Sequence, residues 1–246
     1  MQDYSRKLSK NEKSVLFSIL PENKTGYKSY KDKIEKLLVI GKGRFGGSNL
    51  ILGKEGAKPD LSFPSSPVFA SGVLICNETK IDVIIHEEID DEIEFDISTN
   101  NDFNLNNEFS VSECWSYSEW IPGKKAPGDN SIVREIKVVP GKYILAIASA
   151  HKKIWLYDFE TGINHLIPLS NFYNQLMMVK EIRDSKIALN PGSFFGNLDQ
   201  YSDTDLISAL ITYNKYLRRF KLDIEFLKEK KTQPVKKNIF SFLKRG

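Results

Sequence analysis

Residues 67–76 (PVFASGVLIC) and 80–89 (KIDVIIHEEI) carry the pattern that decides the fold. Both are short runs rich in Val and Ile, and Asn, Pro and Asp stand close to their ends. β-Branched side chains favour strands, and such flanking residues are typical of the turns between strands. The two runs therefore predict strands of a mostly antiparallel sheet or of a small barrel.

The same pattern continues from about residue 37 to residue 169. Further runs of this kind are EIEFDIS (92–98), SIVREIKVV (131–139), YILAIASA (143–150) and KIWLYDFE (153–160). Before them, Ser9-x-x-Glu12 and Ser29-x-x-Asp32 precede apolar residues and predict the starts of two short helices. The predicted fold class is α+β, with a mostly antiparallel β-sheet or small barrel, short N-terminal helices and a long C-terminal helix.

Length and composition predict one soluble globular core with appended segments. The chain has 246 residues, of which 41% are hydrophobic and 27% charged, so it can bury a substantial core without disulfides or metals. Four segments are predicted: an N-terminal helical segment (1–36), a β-rich body (37–201), a long heptad-patterned helix (202–231) and a flexible basic amphipathic tail (232–246).

The cysteines and the apolar runs bear on localisation. Cys76 and Cys114 are the only cysteines, and both lie in predicted strands, which is typical of free thiols in a reducing compartment. No stretch approaches the ~20 apolar residues of a membrane span, and the early apolar run at 15–20 is too short for a secretion signal. We therefore expect a cytoplasmic protein, with peripheral attachment to the inner membrane face as an alternative.

A Gly-x-Gly-x-x-Gly pattern lies in residues 40–49, IGKGRFGGSN. A dinucleotide site needs a helix after the glycines, whereas the residues that follow here predict a strand. The run is similar to the glycine loop of protein kinases, but the strand lysine and the catalytic loop of that family have no counterpart in this chain. We predict a glycine-rich β-hairpin that needs positive φ at several glycines, with Lys42 and Arg44 as candidate anion-binding residues.

An acidic block at 87–96 is the candidate for metal or acid–base chemistry. Carboxylate and imidazole groups of the kind that bind Mg²⁺ or Mn²⁺ are supplied there by His86, Glu87, Glu88 and Asp90. They support an alternative function, a metal-dependent hydrolase acting on a phosphate-containing substrate. The same block is also explained as the solvated surface of two strands and their turn. In that interpretation the apolar side chains between the acids face the core, namely Ile85, Ile89, Ile93, Phe95 and Ile97.

Aromatic residues at 115–120 form a second pattern. Trp115, Tyr117 and Trp120 follow one another closely, and Lys124 and Lys125 stand in the next loop. An aromatic face beside lysines is typical of surfaces that stack on bases or capture a peptide, so nucleic acid stays open as a partner. A core strand that leads into a loop explains the same pattern.

From Ser202 onward the sequence predicts a long helix with one apolar stripe. Ser202-x-x-Asp205 is a capping pattern. The stripe recurs at spacings of four and three, at Leu206, Leu210, Tyr213, Leu217, Phe220, Ile224 and Leu227. Such a stripe needs a partner, which is either the body of the chain or another helix.

The two halves of this stripe differ. Ile207 and Ile211 widen its first half, which favours docking on the body, whereas the narrower second half is typical of a coiled-coil end. We therefore predict that Leu217, Ile224 and Leu227 bind a protein partner or a second copy of the chain. Leu217→Glu is expected to destabilise the fold, and Ile224→Glu to disrupt association.

Residues 232–246, TQPVKKNIFSFLKRG, form a separate segment because Pro234 halts the helix. Its apolar residues fall on one arc of a helical wheel: Ile239, Phe240, Phe242 and Leu243. The run KKNIFSFLKRG resembles the basic amphipathic tails by which MinD-type cell-division ATPases attach to membranes, which implies a peripheral membrane contact. Gln233 with the later Ile-Phe pair also looks like a sliding-clamp-binding peptide, with Lys236 where that pattern has an aliphatic residue.

These patterns together favour binding over catalysis. The sequence contains no G-x-S-x-G elbow and no H-E-x-x-H motif, whereas the heptad stripe and the amphipathic tail are both interaction patterns. We therefore predict a non-catalytic intracellular adaptor or scaffold that assembles with a partner through its C-terminal helix and tail. No cofactor is expected, and the metal-dependent hydrolase is the alternative.

Overall fold

The computed structural model describes residues 4–44, 48–61, 67–99, 105–179, 191–217 and 220. Within these ranges the chain forms two antiparallel sheets, of six and four strands, together with helices at both ends. The predicted α+β class is confirmed, and the described strands form open sheets rather than a barrel. The helices are α1 (Lys10–Ser18), α2 (Thr25–Ile34), α3 (Leu169–Val179) and α4 (Asp203–Leu217).

Strands that are neighbours in sequence mostly pair in space. The larger sheet contains β1 (Leu38–Lys42), β2 (Leu50–Gly53), β3 (Val68–Cys76), β4 (Thr79–His86), β5 (Ile93–Thr99) and β6 (Val111–Ser116). The smaller sheet contains β7 (Arg134–Val139), β8 (Tyr143–Ala148), β9 (Lys153–Asp158) and β10 (Asn164–Leu166). Their orders are β1-β2-β5-β4-β3-β6 and β10-β9-β8-β7, so β6 is an edge strand.

Helices α1 and α2 cover one face of the larger sheet. The predicted capping box of α1 is present, because Ser9 Oγ accepts from the Glu12 N–H and the Glu12 carboxylate accepts from the Ser9 N–H at 2.7 Å. The core beneath the helices includes Val15, Leu16, Ile19, Leu20, Leu74, Val83, Ile85 and Phe95. Burying each such side chain contributes roughly 1.5–3 kcal/mol before the entropy of ordering is counted.

The second predicted helix start is wrong. Helix α2 begins at Thr25, four residues before Ser29, and no side chain caps it. Ser29 lies inside the helix, where its hydroxyl donates to the Thr25 carbonyl oxygen at 3.0 Å. The earlier start places Tyr27 in the core, where it is fully buried. Tertiary burial of this aromatic ring therefore outweighs the local capping pattern.

The smaller sheet is covered on both faces. Helices α3 and α4 pack against one face, and the segment around Trp120, Ala126 and Val133 packs against the other. Five of the six residues of β8 are buried. The run YILAIA has no apolar–polar alternation, which is typical of a strand that is enclosed on both sides.

Helix α4 docks on the body through its first half, as predicted. Leu206, Leu210 and Tyr213 of the stripe are buried in the core, and Ala209 is buried beside them. The helix ends at Leu217, and Phe220 lies in a bend where its N–H donates to Asn214 Oδ1. Residues 221–231, with Ile224 and Leu227, lie outside the described residues, and so does the tail with Ile239, Phe240, Phe242 and Leu243.

The glycine-rich segment is a β-hairpin, as predicted, because β1 pairs antiparallel with β2. The predicted reason for its glycines is wrong at the two described positions, since neither Gly41 nor Gly43 has a positive φ. Their role is close approach. A Cβ on Gly43 would lie 1.8 Å from Asn49 Oδ1, and a Cβ on Gly41 would lie 2.3 Å from Pro59 Cγ.

Candidate interaction surface

The two faces of the larger sheet differ in what covers them. On one face, Ser116 Oγ donates to the Ile19 carbonyl oxygen at 2.6 Å and Cys114 Sγ contacts the Ser18 carbonyl oxygen at 3.2 Å. A Cβ on Gly72 would also touch Ile19. Residues at these positions therefore point toward α1. Side chains alternate along a strand, so the intervening residues lie on the opposite face, called here the outer face.

Cross-strand pairs show which residues share the outer face. Val73 is paired with Trp115 on one side and with Asp82 on the other. The neighbouring rows are Glu113–Ile75–Lys80 and Ser71–Ile84–Asp96. The outer face therefore has an apolar centre on β3, β4 and β6, with acidic and basic side chains around it.

The apolar centre of the outer face is partly open. Val73, Ile75 and Ile84 are half-buried, and Trp115 is 41% exposed. None of the four belongs to a described hydrophobic cluster. Contiguous exposed apolar side chains rimmed by polar residues are typical of interaction sites, whereas single exposed apolar residues are ordinary.

Three carboxylates border this centre, those of Asp82, Asp96 and Glu113. Lys80 pairs with Asp82 at 3.4 Å. Burial raises the pKa of Asp96. Burial likewise lowers the pKa of Lys153, and the Asp82 carboxylate partly offsets that effect. The face therefore carries an excess of acidic groups, with Lys153 of β9 close to its border.

The smaller sheet closes one end of the outer face. Strand β10 packs against β3, and a narrow cavity between the sheets is lined by Ser71, Tyr117, Trp155 and Asn164 among others. The loop after β6 folds back so that a Cβ on Gly128 would lie 3.1 Å from Trp115 Cγ. The outer face is therefore bounded by the smaller sheet and by this loop.

A buried lysine fixes the turn that follows β6. The Lys24 ammonium donates to the carbonyl oxygens of Ser118 and Trp120, at 2.5 and 2.7 Å. Asn164 Nδ2 donates to the carbonyl oxygens of Tyr117 and Trp120, at 2.8 and 2.9 Å. Buried carbonyl groups outside a sheet need such donors. Lys24 is 7% exposed, and burial lowers its pKa to about 8.

The chain matches no family model, no curated protein and no solved structure. None of the helices in the described part of the chain combines the length and the apolar character needed to cross a bilayer.

The predicted metal ligands do not converge. The Glu88 carboxylate is bound by the Lys33 ammonium, and the His86 carbonyl oxygen accepts from the Tyr30 hydroxyl at 2.9 Å. Burial raises the pKa of that hydroxyl, and Glu88 adds to the effect. Asp90 is exposed in a tight turn. Across the ranges that the structure describes, no group of three or more His, Cys, Asp or Glu side chains could hold a metal ion.

Apart from Glu94, which is buried, the acidic block is the surface of two strands and their turn. Four of its predicted core residues are buried: Ile85, Ile93, Phe95 and Ile97. The prediction is wrong for Ile89, which is 43% exposed. Strand β4 ends at His86, and Glu87 donates its N–H to the Pro67 carbonyl oxygen at 2.7 Å. The alternation of side chains therefore stops before Ile89 reaches the core side.

The two candidate anion-binding residues have different surroundings. Arg44 Nη1 contacts Glu94 Oε2 at 2.6 Å, and the Arg44 N–H donates to Glu94 Oε1 at 3.0 Å. Arg44 Nη2 also donates to the Asp60 carbonyl oxygen at 3.1 Å. Its charge is therefore balanced by a carboxylate within the fold, whereas the Lys42 side chain is exposed. Anion binding at this hairpin stays a prediction.

The aromatic residues at 115–120 do not form one face. Trp120 is 1% exposed, lies in the core beside the smaller sheet and donates from Nε1 to the Lys124 carbonyl oxygen at 2.9 Å. Trp115 lies on the outer face instead. The strand ends at Ser116, and a 3₁₀ turn at Tyr117–Glu119 breaks the period-2 spacing. The predicted stacking platform is therefore divided between core and surface.

Sequence reasoning missed the outer face and the Lys24 contact. One signal for the outer face was available, because residues 73–76 (VLIC) are apolar at every position. A strand without alternation is typical of a sheet that is covered on both sides. Lys24 gave no such signal, since its partners are carbonyl groups that any residue supplies.

Proposed function

We propose that this protein is a non-catalytic adaptor or scaffold that assembles with a partner through its C-terminal helix and amphipathic tail. The observation that carries the proposal is the attachment of α4 to the body. Because α4 is fixed on the body, the residues that follow it in sequence start from one defined place.

The start of α4 is held by polar contacts. Arg134 of β7 donates to the carbonyl oxygens of Leu198 and Tyr201, at 2.9 and 3.0 Å, and its guanidinium contacts the Asp203 carboxylate at 2.7 Å. The predicted cap is also present. The Asp205 N–H donates to Ser202 Oγ at 3.2 Å, and the Asp205 carboxylate accepts from the Ser202 N–H at 3.0 Å.

The end of the described C-terminal segment is held as well. Phe220 is 9% exposed, and its ring lies 5.1 Å from the His165 ring of β10. The rest of the heptad stripe, Ile224 and Leu227, follows this anchored residue in sequence, and the tail comes next. In the proposed function these apolar residues bind the partner, because the body has already engaged the first half of the stripe.

Co-purification tests this proposal. We expect a protein partner to co-purify with the full-length chain and not with a chain that ends after Lys231. Full-length Phe240→Ala/Phe242→Ala is expected to lose the same partner while keeping its melting temperature. Identical partners for all three proteins would contradict the proposal. Co-sedimentation with anionic and with neutral liposomes identifies a membrane surface as the target instead.

A further inference from the structure

We propose that the outer face of the larger sheet is the docking site for the chain's own tail, through Ile239, Phe240, Phe242 and Leu243. This inference goes beyond the proposed function, because a docked tail is withheld from any partner until it is displaced. It rests on the composition of β3, on charge and on the length of chain available.

Strand β3 carries apolar side chains on both of its faces, which is typical of a strand that is covered on both sides. Leu74 and Cys76 are fully buried in the core on the helix-covered side of the sheet, whereas Val73 and Ile75, on the outer face of the same strand, are half-buried. Trp115 lies directly across from Val73 on the edge strand β6. Covering these side chains removes apolar surface from water, at about 25 cal/mol per Å². A segment with several large apolar residues would therefore gain from binding here.

Charge favours the tail as the occupant. Asp82, Asp96 and Glu113 surround the apolar centre, against Lys80 on the same face and Lys153 close to its border. The tail combines its apolar arc with cationic residues: Lys236, Lys237, Lys244 and Arg245. Opposite potentials across an interface steer association and select the partner. A second copy of the outer face would instead bring like carboxylates together.

The described chain ends close enough to this face for the tail to reach it. Phe220 packs on His165 of β10, and β10 packs on β3, the strand that carries the apolar centre. Residues 221–238 separate Phe220 from the apolar arc of the tail. With 221–231 helical, as the sequence predicts, at about 1.5 Å per residue and 232–238 extended at about 3.3–3.6 Å per residue, they span roughly 40 Å. A tethered segment acts at an effective concentration in the millimolar range, so modest intrinsic affinity suffices.

Tryptophan quenching tests the proposal in the intact protein. Trp115 is 41% exposed, whereas Trp120 and Trp155 are each 1% exposed, so a neutral quencher such as acrylamide reaches Trp115 selectively. We expect weak quenching in the full-length protein and strong quenching in full-length Phe240→Ala/Phe242→Ala. The matched control Asn238→Ala/Ser241→Ala changes the tail outside its apolar arc and is expected to behave as wild type.

Charge reversal tests the other side of the contact. Glu113→Lys on the outer face is expected to increase quenching, and Glu160→Lys, an exposed acid in the β9–β10 turn, is expected to leave it unchanged. Equal quenching of wild type and Phe240→Ala/Phe242→Ala would overturn the proposal. Protection that grows with protein concentration would overturn it too, because the tail would then bind a second copy. These measurements use purified protein without a partner, so their outcome is separate from that of the co-purification experiment.

Discussion

The ammonium group of Lys24 donates a 2.7 Å hydrogen bond to the carbonyl oxygen of Trp120, which lies 96 positions later in the chain. Lys24 is the N-cap residue of α2, so this bond ties the helical layer of the larger sheet to the turn that leads toward the smaller one. The turn also begins directly after the strand that carries Trp115. One buried side chain therefore helps to position the border of the outer face.

Replacing this lysine is expected to destabilise the fold. Lys24→Met keeps the apolar stem but removes the charged donor of the Ser118 and Trp120 carbonyls, which keep only Asn164 Nδ2. A hydrogen bond to a charged group contributes about 1.5–3 kcal/mol. Urea denaturation measures the loss in unfolding free energy. Lys28→Met, at an exposed position of the same helix, is the matched control and is expected to change stability little. Equal stability of the two variants would contradict the role assigned to Lys24.

The lowered pKa of Lys24 predicts a pH dependence. Its pKa is about 8 in the folded protein against 10.5 for an unperturbed lysine, so between these values the unfolded state binds more protons. Stability then rises with pH across this window. We expect the difference in unfolding free energy between wild type and Lys24→Met to increase from pH 8 to pH 10. A flat difference would contradict the prediction.

Removing one member of the Arg44–Glu94 pair is expected to destabilise the fold more than removing both. The Glu94 side chain is 6% exposed, so Arg44→Met leaves a buried carboxylate without its cation, at a cost of about 3 kcal/mol. Arg44→Met/Glu94→Leu removes both charges and is expected to recover most of that stability. Chemical denaturation of the single and double variants measures the coupling. Additive effects of the two changes would argue against a buried ion pair.

Gly43 is expected to tolerate no side chain. A methyl group there would meet Asn49 Oδ1 and Glu94 Oε1, both on buried residues, and such overpacking costs about 1–3 kcal/mol. Gly196→Ala is the control, because a Cβ at Gly196 has no atom within 4 Å and its φ is not positive. Thermal unfolding of the two variants compares them directly. A melting temperature for Gly43→Ala as high as that of Gly196→Ala would contradict the close-approach role.

Substitutions in the first half of the C-terminal stripe are expected to lower stability, whereas substitutions in the second half are expected to weaken association. Leu210→Glu places a charge in the core, where Leu210 is fully buried, and it is expected to unfold the protein. Leu217→Glu is expected to destabilise the fold. Ile224→Glu is expected to keep the melting temperature and to lower the associated mass in light scattering. A monomeric wild type that Ile224→Glu leaves unchanged would contradict self-association through this residue.

Local patterns were reliable where the structure depends on near neighbours. The Ser9–Glu12 and Ser202–Asp205 caps form as predicted, because each joins groups within one helical turn. The failures are also physical. Ser29 does not cap α2 because burial of Tyr27 moves the helix start. Ile89 is exposed because β4 ends three residues before it.

The sequence by itself determined the α+β class, the antiparallel strands and the docking of the first half of α4. β-Branched runs, turn residues and helical spacing are local, and each acts through the backbone within a few residues. Only the tertiary structure decided that Trp115 and Val73 share the outer face, that Glu94 balances Arg44 and that Lys24 binds the turn carbonyls. These contacts join residues between about 40 and 96 positions apart. Strand order, and not any local pattern, brings them together.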